Sequence, residues 1–134
     1  MEEEAQQKYL EYQMLNNQVR QLMQEIQSME QQVKELEMLV EGVEELGKAK
    51  AGTEILSSLG GGIYVKTTLT NNNEILINSG ARIMTTKTRD EAKALLSEQL
   101  EQVKKVVAQM QADFQGGVQR LVVLESDLKK AQKK

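Results

Sequence analysis

The sequence predicts an α+β fold: a long antiparallel two-helix coiled-coil hairpin with two β-hairpins inserted between the helices. Three observations carry this expectation. Apolar residues alternate at spacings of 3 and 4 from Tyr12 to Val43, and the same alternation returns from Leu96 to Ala131. Between these runs the chain gathers six of its nine glycines and turns to a period of two. The predicted organisation is a helix over 1–47, two β-hairpins over 48–89 and a second helix over 90–134.

The first helix rests on its repeat. Tyr12, Val19, Ile26, Val33 and Val40 fall at one heptad position; Leu15, Leu22, Met29, Leu36 and Val43 fall at the other. A 3.5-residue period held this long specifies a left-handed coiled coil, because a helix on a globular core drifts to 3.6. The second helix repeats the pattern through Leu96, Leu100, Val103, Val107, Met110, Phe114, Gly117, Leu121, Leu124, Leu128 and Ala131. Asp90 is its expected N-cap. Gly116 and Gly117 interrupt it, each costing about 1 kcal/mol relative to Ala in a helix. They imply either a local kink or the close approach of a bulky partner side chain. Matching Leu96 to Val40 sets a pairing sum near 136 and brings Gly117 opposite Val19.

Helices of about 42 residues, roughly 63 Å each, joined by a compact insert imply an antiparallel pair with both termini at one end. Glu2, Glu3 and Glu4 then open the first helix, and Lys129, Lys130, Lys133 and Lys134 close the second, each cluster suiting its own helix dipole.

The middle segment reads as strands. Ile63, Val65, Thr67 and Leu69 alternate with Tyr64, Lys66, Thr68 and Thr70. Thr53–Leu59 pairs back across Gly60, Gly61 and Gly62. Asn71, Asn72 and Asn73 supply a turn, since Asn tolerates positive φ. Glu74–Asn78 carries Ile75 and Ile77 on one face, and Arg82–Thr86 carries Ile83 and Thr85. Four short strands without Phe or Trp bury too little to stand alone, and their edges are unpaired. Ile63, Val65, Leu69, Ile75, Ile77 and Ile83 are therefore the expected oligomerisation residues, completing a β-barrel with strands of other subunits.

Composition excludes most chemistry. The chain has no Cys, so no disulfide or thiolate site, and no His, which removes the commonest base and metal ligand. Net charge is −3, so no overall basic field recruits nucleic acid. No apolar run has the length of a membrane span. The acidic start Glu2-Glu3-Glu4 is the wrong charge for a secretory signal, and a cytoplasmic location is expected. The Gly60–Gly62 run lacks the following Lys-Ser/Thr and helix of a phosphate loop. No catalytic residue, cofactor site or metal site is expected.

One feature exceeds what a coiled coil needs. Near the expected free end, Leu10 and Met14 lie off the seam with Tyr9 beside them, and Val122 and Val123 do so on the second helix. Either the seam broadens there or apolar segments of other chains dock. Tyr9, Leu10, Tyr12, Met14 and Leu15, with Leu121, Val122, Val123, Leu124 and Leu128, form the candidate contact set.

The run Ala49-Lys50-Ala51-Gly52-Thr53-Glu54-Ile55-Leu56, then Leu59-Gly60-Gly61-Gly62-Ile63-Tyr64-Val65-Lys66, then Ile75-Leu76-Ile77-Asn78-Ser79-Gly80-Ala81, resembles the prefoldin family. Two hairpins rather than one resemble its archaeal alpha class. The resemblance implies an ATP-independent holdase in which two alpha and four beta subunits share β-barrels. Coiled-coil tips would hold unfolded proteins and pass them to a group II chaperonin. Ser79, Arg82 and Thr86 depart from the family's usual apolar, glycine and acidic residues. A structural coiled-coil scaffold without clients is the competing reading; it has no use for off-seam Leu10, Met14, Val122 and Val123.

Overall fold

A computed structural model describes residues 2–132 of the chain. Met1, Lys133 and Lys134 lie outside the described residues, so the terminal lysine cluster is seen only as Lys129 and Lys130 in the last turn of the second helix. The element order is α1 (Glu2–Leu46), β1 (Glu54–Gly60), β2 (Ile63–Thr68), β3 (Glu74–Asn78), β4 (Met84–Thr88) and α2 (Arg89–Gln132). The chain divides into two units. One joins α1 up to Val33 with α2 from Gln102 onward; the other spans Lys34–Glu101 and holds both hairpins.

In the first unit the heptad reading is realised. Every predicted seam residue of α1 here is buried or half-buried, with Val19 and Ile26 most covered. On α2, Val107 and Leu124 are buried and Val103, Met110, Phe114, Leu121 and Leu128 half-buried; Ala131, last in the repeat, is exposed. Cross-helix polar pairs flank the seam: Lys8 Nζ to Asp127 at 3.6 Å, Arg120 Nη2 to Glu11 at 3.0 Å, and Gln111 to Glu30 at 3.0 Å. These pairs run antiparallel, as the hairpin requires. They are exposed, so they hold register more than they add stability.

Gly116 and Gly117 prove unlike. Helix α2 passes through both without interruption. A Cβ at Gly117 would lie 2.7 Å from Val19 Cγ2, whereas a Cβ at Gly116 meets nothing within 4 Å. Close approach, not a break in the helix, explains Gly117, and the partner is the Val19 that the pairing sum indicates. Val is stiff at χ1 and cannot swing aside cheaply. Gly116→Ala is therefore expected to raise stability by about 1 kcal/mol. Gly117→Ala gains the same helix propensity but overpacks the seam, at a cost of roughly 1–3 kcal/mol. Thermal unfolding of the two single variants checks this: opposite shifts, or at least no gain at Gly117, are expected.

In the second unit Leu36, Val40 and Val43 of α1 and Leu96 and Leu100 of α2 continue the half-buried pattern. Lys93 Nζ lies 2.6 Å from Glu44 Oε1. Its hydrogen bond and charge, with a lesser contribution from Lys48, hold the Glu44 carboxyl below the ordinary glutamate value.

Helix α2 starts two residues earlier than an Asp90 cap would set it. Thr88, the last residue of β4, is the cap: its Oγ1 accepts the Glu91 N–H at 3.2 Å and donates to Glu91 Oε1 at 3.0 Å. Strand thus runs directly into helix, and Asp90 joins Glu91 as first-turn acidic charge.

The two hairpins form separate two-stranded antiparallel sheets, β1–β2 and β3–β4. In the first, Ile55 faces Thr67 and Ser57 faces Val65, up to an irregularity between Ser58 and Gly60. Gly61 and Gly62 have the positive φ that a two-residue hairpin turn of matching twist demands, and Gly60, also at positive φ, closes the irregularity before it. The Asn run turns differently from expectation. Among the described non-glycine residues only Ala81 and Arg82 have positive φ. Asn71 makes its turn with the side chain, Oδ1 accepting the N–H of Asn73 at 2.8 Å and of Glu74 at 3.2 Å.

The last strand begins later than the alternation suggested, at Met84 rather than Arg82. Asn78 pairs with Met84, and the turn between them contains left-handed Ala81 and Arg82, with φ of 50° and 64°. Ile83 is therefore a turn residue, its N–H donating to the Gly80 carbonyl. Alternation by itself cannot see a turn that absorbs two strand-like residues.

A polar knot joins the hairpins to the helix ends. Asn72 Nδ2 donates to Ala49 O at 2.9 Å, and Arg89 Nη1 donates to Asn72 O at 3.1 Å. The Arg89 guanidinium lies over Gly47, where a Cβ would sit 2.6 Å from its Cζ. A side chain at Gly47 would displace that guanidinium, so the glycine leaves room for Arg89 rather than serving an unusual backbone angle.

Candidate functional site

Two surfaces expose apolar side chains beyond the ordinary scatter of a soluble chain. The first is at the terminal end of the helix pair. Tyr9, Leu10, Met14 and Val122 are each more than half exposed, and Val123 nearly so. Tyr12, Leu15, Leu121 and Leu128 are half-buried, and Leu124 has no exposed surface at all. The candidate set therefore separates by role. Leu124 holds the seam; Leu10, Met14, Tyr9, Val122 and Val123 face outward.

These side chains form grooves rather than one patch. Ala5, Gln6, Tyr9 and Leu10 of α1 meet Leu128 and Ala131 of α2 around an open, mainly apolar groove of about 480 Å³. Leu10, Met14 and Leu15 line a second groove of about 470 Å³ with Gln7, Glu11, Gln18 and Arg120. Val122 lies in a third, more polar groove beside Glu125, Ser126, Lys129 and Lys130. Tyr12, Leu121, Val123 and Leu124 line none of the three. Ala5, Gln6 and Arg120 are groove residues that sequence reasoning passed over, and Ala131 entered it only as the last member of the heptad repeat. Small and polar residues carry no apolar signal, and only the cross-helix register places them beside Leu10 and Met14.

The second surface is on the hairpins. Among the predicted oligomerisation residues, Ile63 and Ile83 are well exposed, Val65 is 39% exposed, and Ile75 and Ile77 are half-buried. Leu69 is covered within the chain: its N–H and carbonyl pair with Thr53 and Gly52, and little of its side chain remains for a neighbour. Leu56, Leu59, Tyr64, Leu76 and Met84 are more than half exposed and were outside the predicted set. Leu56 and Tyr64 stand on the face opposite Ile55 and Val65, and Leu76 and Met84 on the face opposite Ile75 and Ile77. The signal for them was available: apolar residues at adjacent strand positions, as in Ile55-Leu56 and Ile75-Leu76-Ile77, mean both faces are to be covered.

Among the described residues no helix is long and apolar enough to cross a membrane.

A chain order of heptad helix, two β-hairpins and heptad helix defines a class of subunit, in which coiled-coil helices flank two hairpins that each lack a third strand. The comparisons with known proteins agree. The family description "Prefoldin subunit" matches residues 2–134. A prefoldin subunit alpha of Methanococcus aeolicus is 28% identical over 135 residues, covering 90% of this chain and 92% of its own. A prefoldin subunit alpha of Thermofilum pendens is 24% identical over 119 residues, covering 89% and 92%. A chain of the cryo-EM structure of filamentous PFD from Methanocaldococcus jannaschii superposes with a TM-score of 0.73 at 13% identity, covering 86% of this chain and 95% of that one.

The chain belongs to the prefoldin family. The resemblance to alpha subunits, carried by the glycine-rich middle, is matched by both curated relatives. Prefoldins are non-enzymatic chaperone subunits that assemble with other prefoldin subunits.

Proposed function

We propose that this chain is the alpha-type subunit of an ATP-independent holdase, which captures unfolded polypeptides at the terminal ends of its helix pairs and delivers them to a group II chaperonin. The assembly pairs two copies with four beta subunits through a shared β-barrel, in the cytoplasm. The observation that carries the reading is the outward-facing set of Leu10, Met14, Val122 and Val123, apolar side chains that a two-helix seam does not need. Capture follows from burial of client apolar surface, at roughly 25 cal/mol per Å², less the large cost of ordering a disordered chain. One helix pair then binds weakly, and several on one assembly supply avidity. Half-buried Leu15 and Leu121, and buried Leu124, contribute only where the helix ends part, as helix ends readily do.

The test replaces Leu10, Met14, Val122 and Val123 together by serine in the complete assembly. These positions lie off the seam, so helicity and assembly are expected to stay intact. Light scattering of a chemically unfolded test protein is expected to show loss of aggregation suppression. Full suppression by this variant would move capture away from these side chains, toward the seam, the partner subunits' arms or the underside of the barrels.

A further inference from the structure

We propose that Met14 is a redox-sensitive modification site, whose oxidation to the sulfoxide by a peroxide switches the terminal groove from apolar to polar and lowers client capture. The inference rests on the capture reading above and adds regulation to it.

Met14 is 63% exposed and lines a groove with Leu10 and Leu15. Met29 and Met110, by contrast, sit half-buried in the seam. A hydroperoxide therefore reaches the Met14 sulfur more readily than those of Met29 and Met110; Met23, 50% exposed in the same unit, lines none of the three grooves. One oxygen atom is transferred to the thioether. An S–O bond forms as the peroxide O–O bond breaks, the sulfur is oxidised by two electrons, and hydrogen peroxide is reduced to water.

The groove suits the product as well as the reactant. Its apolar side is Leu10 and Leu15, against which a thioether packs readily. Its polar side carries the amides of Gln7 and Gln18 and the Arg120 guanidinium. Arg120 presents five N–H donors, and its Nε and Nη2 both point at Glu11 Oε1, at 3.2 Å and 3.0 Å. A sulfoxide oxygen is a strong acceptor, so donors already stand at the groove for it. The oxidised side chain gains a polar partner there and removes the flexible apolar contact between Leu10 and the seam. The change leaves the seam itself untouched.

The experiment uses the complete assembly with hydrogen peroxide as the probe. Each preparation is compared with its own untreated sample. Peptide mass spectrometry follows Met14 and Met38, the latter 70% exposed and outside the three terminal grooves. Treated wild type is expected to need about tenfold more complex for half suppression, since the loss in this chain's helix pair multiplies across its two copies in the assembly. Met14→Leu, which cannot be oxidised there, is expected to keep its untreated value; Met38→Leu is expected to lose as wild type does. A methionine sulfoxide reductase is expected to restore the wild type. Three results would each overturn the switch alone: equal loss in Met14→Leu, unchanged suppression with Met14 fully converted, or Met14 unconverted while Met38 is. Full suppression by the untreated four-serine variant would instead overturn the capture reading and the switch with it.

Discussion

Val65→Asp or Ile77→Asp is expected to release the chain from its assembly as a monomer that stays helical. Val65 stands opposite Ser57 in the first hairpin, and Ile77 opposite Thr85 in the second. Neither hairpin owns a third strand, and both present apolar side chains on two faces. Such a surface is stable in water only when other strands or side chains cover it. A carboxylate placed on the covered face must be desolvated without a partner, at an effective cost of several kcal/mol. That is enough to shift an oligomer by orders of magnitude in association constant, since every 1.4 kcal/mol is tenfold. The helix pair of the first unit has its own seam and keeps its circular dichroism. Native mass spectrometry or sedimentation with the partner subunits gives the answer: an oligomer of unchanged size would place assembly away from these strands.

Leu124→Ala is expected to open the terminal end of the helix pair. Leu124 is the one fully buried large side chain among the described residues, and it lies between the Lys8–Asp127 and Arg120–Glu11 pairs. Removing its branched end costs about 3 kcal/mol where surrounding atoms relax only in part. Amide exchange near the terminal end should then quicken by roughly 100-fold, at tenfold per 1.4 kcal/mol. Unchanged exchange would mean that the end closes around the alanine. The same variant sorts the roles of Leu15 and Leu121. If they meet clients when the helices part, suppression by Leu124→Ala improves as stability falls. If capture uses only the outward side chains, suppression is indifferent to opening.

Much of this was legible in the residues. The 3,4 spacing of Tyr12 through Val43 needed no tertiary information, because a seam that faces one partner over many turns is written as a linear period. The antiparallel register was legible too: matching Leu96 to Val40 placed Gly117 on Val19. The glycine turn at Gly60–Gly62 followed from backbone sterics alone. The outward set at the terminal end stood out because Leu10, Met14, Val122 and Val123 break the period.

The differences share one cause: each depended on hydrogen bonds or packing that leave no periodic trace. Thr88, not Asp90, caps α2, because β4 delivers its hydroxyl to the Glu91 N–H. Ile83 reads as strand by alternation but sits in a turn fixed by the pairing of Asn78 with Met84. Leu69 and Leu124 carry the same apolar signal as their exposed neighbours, yet each is covered within the chain. Hydrophobic period specifies which face of an element is apolar, and so it established the helix pair, the hairpins and the surplus apolar positions. Whether a given apolar side chain meets its own chain or is left for another is a matter of three-dimensional neighbours, and only the packing of α1 against α2 and of strand against strand decided it.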